Sequence, residues 1–232
     1  MKAMFMSDLL IAKKYLVQQL LIGVAVGIFI SVVMGNLYVI PPMVGVMIPF
    51  SLAFTILAYD ERDNWQQFRL SMPLSRTNVI WGRYASMGVL ALIGLALGLL
   101  VTGIVIAAAN LLPNVPQLTD LMVNFSWQAV VLVSVVGVAI ILVMLTITMP
   151  LVSRFGMTKA VRYIPLLVIF AVVFGSGFLD GKSAPEFLLQ LMEWLKTPEG
   201  TLGMAGIVIV VAFALYALSG VLSVKLYEKR EF

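Results

Sequence analysis

The chain has 232 residues, 62% of them hydrophobic and 11% charged, with a formal net charge of +4 and a mean hydropathy of +1.07. That composition lies far outside the range of a water-soluble globular domain and describes an integral membrane protein. There is no Cys and no His, so disulfides, thiolate metal sites, Ser-His-Asp catalysis and His-ligated metalloprotease chemistry are excluded by inventory.

A helix needs about 20 apolar residues to cross roughly 30 Å of hydrocarbon, with about 17 as the short limit. Six stretches qualify: 16–34, 39–58, 84–109, 128–150, 163–179 and 203–224, the fifth being the shortest. The expected fold is therefore all-α, a single polytopic transmembrane domain over 1–232. Residues 1–14 read as an interfacial helix leading into the first span. Lys13 and Lys14 are juxtamembrane anchors, and no small-residue cleavage site follows the span, so it is expected to be permanent rather than a signal peptide. "GNLY" then joins spans one and two tightly. In the second span Pro41, Pro42 and Pro49, and in the fifth Pro165, are candidate helix breaks at which backbone carbonyls could bind an ion. Gly23 and Gly27 in the first span, and Gly94 and Gly98 in the third, each make G-x-x-x-G, which lets helix backbones approach closely. Packing within one subunit is the plain reading of these pairs, and contact between subunits is the sharper one.

Six spans put both termini on one side, which carries every one of the 15 Lys and Arg except Lys182 and Lys196. The positive-inside rule makes that side cytoplasmic. The longest polar passage, "YDERDNWQQFRLSMPLSRTNVIWGRY" over 59–84, lies there. Within it Trp65, Phe68 and Met72 recur at three- and four-residue spacing, giving a helix with an apolar, aromatic face that Pro73 ends. Ser75 is placed to N-cap a new helix running through Trp81 and Tyr84 into the third span. Taken alone, the segment reads as an interfacial helix with aromatics at the headgroups and Arg on phosphates. A second cytoplasmic loop, 153–162, carries Arg154, Phe155 and Lys159; it reads as a solvated, lipid-facing loop and, secondarily, as a contact surface.

On the outer side 110–127 forms a longer loop. In the last outer loop Ser183, Pro185 and Glu186 make a capping box with Pro at the first helical position. Phe187, Leu188, Leu191, Trp194 and Leu195 come next at helical spacing, and Pro198 and Gly200 are expected to stop the helix. An amphipathic helix over 184–196 on the outer interface results, serving either as an anchor for the last span or as a lid.

None of the six spans, so bounded, contains Asp, Glu, Lys or Arg, which argues against a proton-coupled carrier, because gradient-driven transporters keep such costly residues for their mechanism. "SGFLDGKS", 176–183, ends like a phosphate-binding loop, but Ser176 stands where the first Gly is needed and the segment falls outside the cell. ATP, if used, is bound by another chain.

The run "PPMVGVMIPFSLAFTILAYDERDNWQQFRLSMPLSRTNVIWGRY" resembles the membrane subunits of ATP-binding cassette type-2 exporters. In these an acidic "DE" after the second span leads to a Trp-containing coupling helix and an "LPxSR" element before the third. The matching residues are Asp60, Glu61, Trp65, Leu70, Met72, Pro73, Ser75 and Arg76, Met72 standing where Leu is usual. The specific likeness covers about 41–84; within the family the chain looks most like permeases that export phenol-soluble modulins, which are cytolytic amphipathic peptides. The resemblance implies a non-catalytic permease subunit in a bacterial plasma membrane, two of which, as homodimer or heterodimer, form the pathway. It implies separate ABC ATPase subunits that bind the ATP and Mg, none being expected in this chain. The segment 60–83 then transmits their closure to the spans, with Trp65 and Phe68 buried in the ATPase and Arg69 and Arg76 in charged contacts. The charge-free spans suit amphipathic peptide cargo and membrane lipids, with no nucleic acid partner. The rival class is a gradient-driven carrier or channel working without an ATPase.

Overall fold

The computed structural model describes residues 2–61, 75–111, 121–122, 125–156, 190, 193–195 and 197–229, with Glu61 described in its backbone alone. Five long helices carry these residues: α1 (Lys2–Met34), α2 (Ile40–Glu61), α3 (Arg76–Leu111), α4 (Trp127–Phe155) and α5 (Pro198–Glu228), with a 3-10 turn at Leu37–Val39. All five are long and apolar enough to cross a membrane. The protein is thus an all-α polytopic membrane protein. The helices contain the first, second, third, fourth and sixth predicted spans; the fifth, 163–179, and Pro165 lie outside the described residues. Residues 2–14 form no separate interfacial element, because α1 runs unbroken for 33 residues, about 50 Å at 1.5 Å per residue.

Local chemistry explains the boundaries. At the end of α1, Gly35 takes φ +61° and the Asn36 N–H reaches back to the Ser31 carbonyl at 3.1 Å, a Schellman cap that needs a residue free of Cβ strain. The Asn36 side chain then accepts from the Tyr38 N–H at 2.9 Å and opens the next turn. The Tyr38 hydroxyl in turn accepts the Ser126 N–H at 2.8 Å, while Ser126 caps α4. Pro198 and Gly200 also have a role that the sequence reading did not assign to them, at the start of the next helix. Thr197 is the N-cap of α5, Pro198 its first helical residue, and the Gly200 N–H donates to Thr197 Oγ1 at 3.1 Å. Pro at N1 closes off the segment before it and starts the helix after it. Gly200 is required for space, since a Cβ there would overlap the Trp194 carbonyl.

At the centre lies α2, antiparallel to α1 and α3 and parallel to α4, and packed on all three. Prolines do not break it. Pro41 and Pro42 lie in the first turn, where N–H groups have no intrahelical partner, and Pro49 lies inside the continuous helix. Each is matched by a glycine. A Cβ on Gly98 would come 2.7 Å from the Pro41 carbonyl oxygen, and one on Gly137 would come 2.7 Å from the Pro42 Cα. Pro49 has no N–H to offer the Gly45 carbonyl. Gly94 fits against that carbonyl, where its own Cβ would sit 2.8 Å from the oxygen and overlap the Pro49 ring. Gly23 and Gly27 face Ile48 and Val44. Both G-x-x-x-G pairs therefore pack on α2 of the same chain.

Candidate functional site

The start of α1 and α3 and the ends of α2, α4 and α5 share one end of the bundle. Polar side chains gather there in three groups, two of them buried and the third, at Arg76, partly exposed. At its centre Arg83, on α3, is buried between two carboxylates. Its Nη1 is ion-paired with Asp60 Oδ2 on α2, and its Nη2 reaches Asp8 Oδ1 on α1 at 3.4 Å. Ser86, one turn further along α3, stands 2.7 Å from Asp8 Oδ2 and 2.8 Å from the Arg83 carbonyl. Asp8 and Asp60 are 1% and 3% exposed, so these charges have left water and depend on one another. Among the described residues Arg83 Nε has no hydrogen-bond partner, and an unsatisfied buried donor costs about 1–3 kcal/mol.

A second group joins α3, α4 and α5. The Tyr84 hydroxyl lies 2.8 Å from Ser219 Oγ and 2.7 Å from Ser223 Oγ, and Ser219 Oγ donates to the Thr146 carbonyl at 2.8 Å. Counting protons gives the direction: Ser219 spends its hydrogen on Thr146, so it accepts from Tyr84, which accepts from Ser223. The Tyr216 hydroxyl closes the group by donating to the Tyr84 carbonyl at 2.9 Å. Trp81 lies against Gly220, where a Cβ would come 3.0 Å from the ring. Third, Arg76 Nη1 donates to the last carbonyls of α5, Glu228 at 2.7 Å and Tyr227 at 3.4 Å. A cation at a helix C-terminus satisfies orphan carbonyls and the negative end of the macrodipole together. Between α1 and α2 the Tyr15 and Tyr59 hydroxyls share a hydrogen bond.

Of the residues assigned to coupling from the sequence, Asp60 is the buried partner of Arg83, and Glu61 is the last residue of α2. Ser75 caps α3, its Oγ accepting the Asn78 N–H at 3.2 Å, and Arg76 is the residue that closes α5. Trp65, Phe68, Arg69 and Pro73 lie outside the described residues. Arg154 and Phe155 form the exposed last turn of α4, the guanidinium 5.3 Å from the ring centre; Lys159 is outside the described residues. In the outer segment Trp194 packs on Gly203, and the Leu195 carbonyl accepts from Thr201 Oγ1 at 2.9 Å. Phe187, Leu188 and Leu191 are not among the described residues.

A family model described as an ABC-2 family transporter protein matches residues 3–228. The chain belongs to that family. No curated protein and no solved structure matches it. As an ABC-2 membrane protein it is of a kind that is typically a non-catalytic permease subunit and works with ABC ATPases.

In this ABC-2 chain the polar node rests on residues that sequence reasoning passed over. Arg83 was counted only as one of the basic residues of its side, and Asp8 was not singled out. A signal existed: Asp8 is the only acidic residue before Asp60, and Met4, Asp8 and Ala12 share one buried face at four-residue spacing. An acid on the buried face of an apolar helix calls for a cation on a neighbour.

Proposed function

We propose that this chain is the transmembrane permease subunit of an ATP-driven exporter, forming the pathway as a dimer and moved by separate ATPase subunits that bind ATP and Mg. Its cargo is an amphipathic peptide of the cytolytic or antimicrobial kind, phenol-soluble modulins being the model class. Family membership over nearly the whole chain supports the permease role. The observation that carries the mechanical reading is the clamping of both ends of the polar segment. Asp60, at its entry, is held by Arg83, and Arg76, at its exit, is held on α5. A push on residues 62–74 thus reaches α1, α2, α3 and α5 at once, as transmission through rigid helices requires. Trp65 and Phe68 are the anchors in the ATPase, with Arg69 and Arg76 as the charges near it.

A single transmembrane domain of six spans with both termini in the bacterial cytoplasm completes the proposal. The antiparallel pairing of α3 with both α2 and α5, and the register of Tyr38 and Pro42 against Ser126 and Gly137, make α4 and α5 parallel. Parallel α4 and α5 support the sixth span that the proposal assigns to 163–179. The contacts of Trp194 and Leu195 with the first turns of α5 favour an anchoring role for the outer amphipathic segment.

The test is co-expression with the partner ATPase, affinity purification through this chain, and assay of hydrolysis and of ATP-dependent uptake of a fluorescent amphipathic helical peptide into inside-out vesicles. A stoichiometric complex whose uptake is lost in Trp65→Ala/Phe68→Ala is the expected result. Peptide or ion movement by the purified chain alone in liposomes, with no ATPase bound, would instead make it a carrier or channel.

A further inference from the structure

The guanidinium of Arg83 is used unevenly. Nε–H and Nη2 share one edge of the group, the edge that grips a carboxylate with two parallel hydrogen bonds. Asp8 approaches that edge yet engages it only through Oδ1 at 3.4 Å, longer than the usual 2.7–2.9 Å for such a bond. Its other oxygen is taken by Ser86 at 2.7 Å, and Nε is left without a partner among the described residues. Ser86 has a single hydroxyl proton and a second acceptor within reach, the Arg83 carbonyl at 2.8 Å.

We propose that Asp8, Ser86 and Arg83 form a two-position latch between α1 and α3. In the arrangement seen, Ser86 holds Asp8 Oδ2. In the other, Oδ2 passes to Arg83 Nε–H, Oδ1 tightens on Nη2, and the Ser86 hydroxyl turns to the Arg83 carbonyl. Every one of these donors has an acceptor after the exchange. The movement needed is a small closing of α1 on α3, of the kind that helix shifts between packed states provide. Asp60 stays on Nη1 throughout, so the N-terminal helix changes its grip while the α2–α3 pair keeps its own. Asp8 is thus a positioning residue that sets where α1 sits. The driving of this exchange by ATP rests on the permease reading above; the exchange itself does not.

The experiment tracks the Arg83 side chain by magic-angle-spinning NMR of the full chain in lipid nanodiscs, labelled with 15N at arginine Nε. Loss of the signal in Arg83→Lys assigns it. In the chain alone, Ser86→Ala frees Asp8 Oδ2 and is expected to move the Arg83 Nε proton downfield. An unmoved signal would overturn the latch. In the complex with the co-purifying ATPase, trapping with Mg, ATP and vanadate is expected to produce the same downfield shift in the wild type and in Asp8→Glu, and to lose it in Asp8→Asn. A complex that hydrolyses ATP with no shift on trapping refutes the role in transport. If no ATPase co-purifies yet Ser86→Ala moves the signal, the permease reading fails and the latch stands.

Discussion

The two ends of the bundle are held by different physics. Toward the Gly35 turn, helices meet backbone to backbone: Pro41, Pro42 and Pro49 of α2 sit in notches left by Gly98, Gly137 and Gly94. Toward the termini, the same helices meet through buried charges and hydroxyls, from the Asp8–Arg83–Asp60 triad to Tyr84, Ser219 and Ser223. Close packing has one solution, since a notch that admits a proline ring admits nothing else. Hydrogen-bonding groups have several, because donors exchange acceptors over fractions of an ångström. The close-packed contacts lie far from Asp60 and Ser75, and the exchangeable ones lie beside them, a division that suits the proposed transmission.

The comparison breaks most sharply at Arg83. Arg83→Met removes the cation that two buried carboxylates share, and the chain is expected to lose about 3–5 kcal/mol, read as unfolding midpoint in mixed micelles. Neutralising the whole set, Arg83→Met with Asp8→Asn and Asp60→Asn, should recover most of that loss, because the cost comes from unpaired charge rather than absent packing. A triple variant no more stable than Arg83→Met would show that the arginine acts through its packing.

At the other end, Gly98→Ala forces a methyl onto the Pro41 carbonyl and is expected to cost about 1–3 kcal/mol by the same measurement. Gly103, whose Cβ would meet nothing within 4 Å, is the control on the same helix, and Gly103→Ala should be neutral or slightly stabilising. Equal losses at the two glycines would mean that the α2–α3 notch is not close-packed.

Smaller still is Tyr84→Phe, which removes the hydroxyl between Ser219 and Ser223 and should cost between about 0.6 and 1.7 kcal/mol, the average and the maximum for interhelical hydrogen bonds in a membrane protein. Combining Tyr84→Phe with Gly98→Ala sharpens the division into two ends. Sites this far apart with no shared partner should add within about 0.3–0.5 kcal/mol. A larger coupling would make the bundle one mechanical unit.

Much of the helical frame was legible in the sequence, because hydropathy, caps and turn residues are local. Asn36, Ser126 and Gly35 act where their chemistry suits them, and Ser75 caps α3 as its position before the helix suggested. The second G-x-x-x-G was visible as a pattern but not as a partner, since only the placement of α2 shows that Gly94 receives Pro49. The role of Pro198 and Gly200 in starting α5 was hidden because Pro at N1 gives the same signal for a helix stop and a helix start. The candidate site was the least legible part. Arg76 and Arg83 look alike in the sequence as basic residues of a polar segment, yet one closes α5 and the other is buried among carboxylates.

By itself, then, the sequence determined that this is a helical membrane protein, which stretches are apolar enough to cross, and where helices can begin and end, since each depends on residues within a turn or two. Tertiary structure alone decided which charges leave water. Whether Asp8, Asp60 and Arg83 are solvated or paired depends on three helices arriving at one point, and no window of the chain contains that meeting.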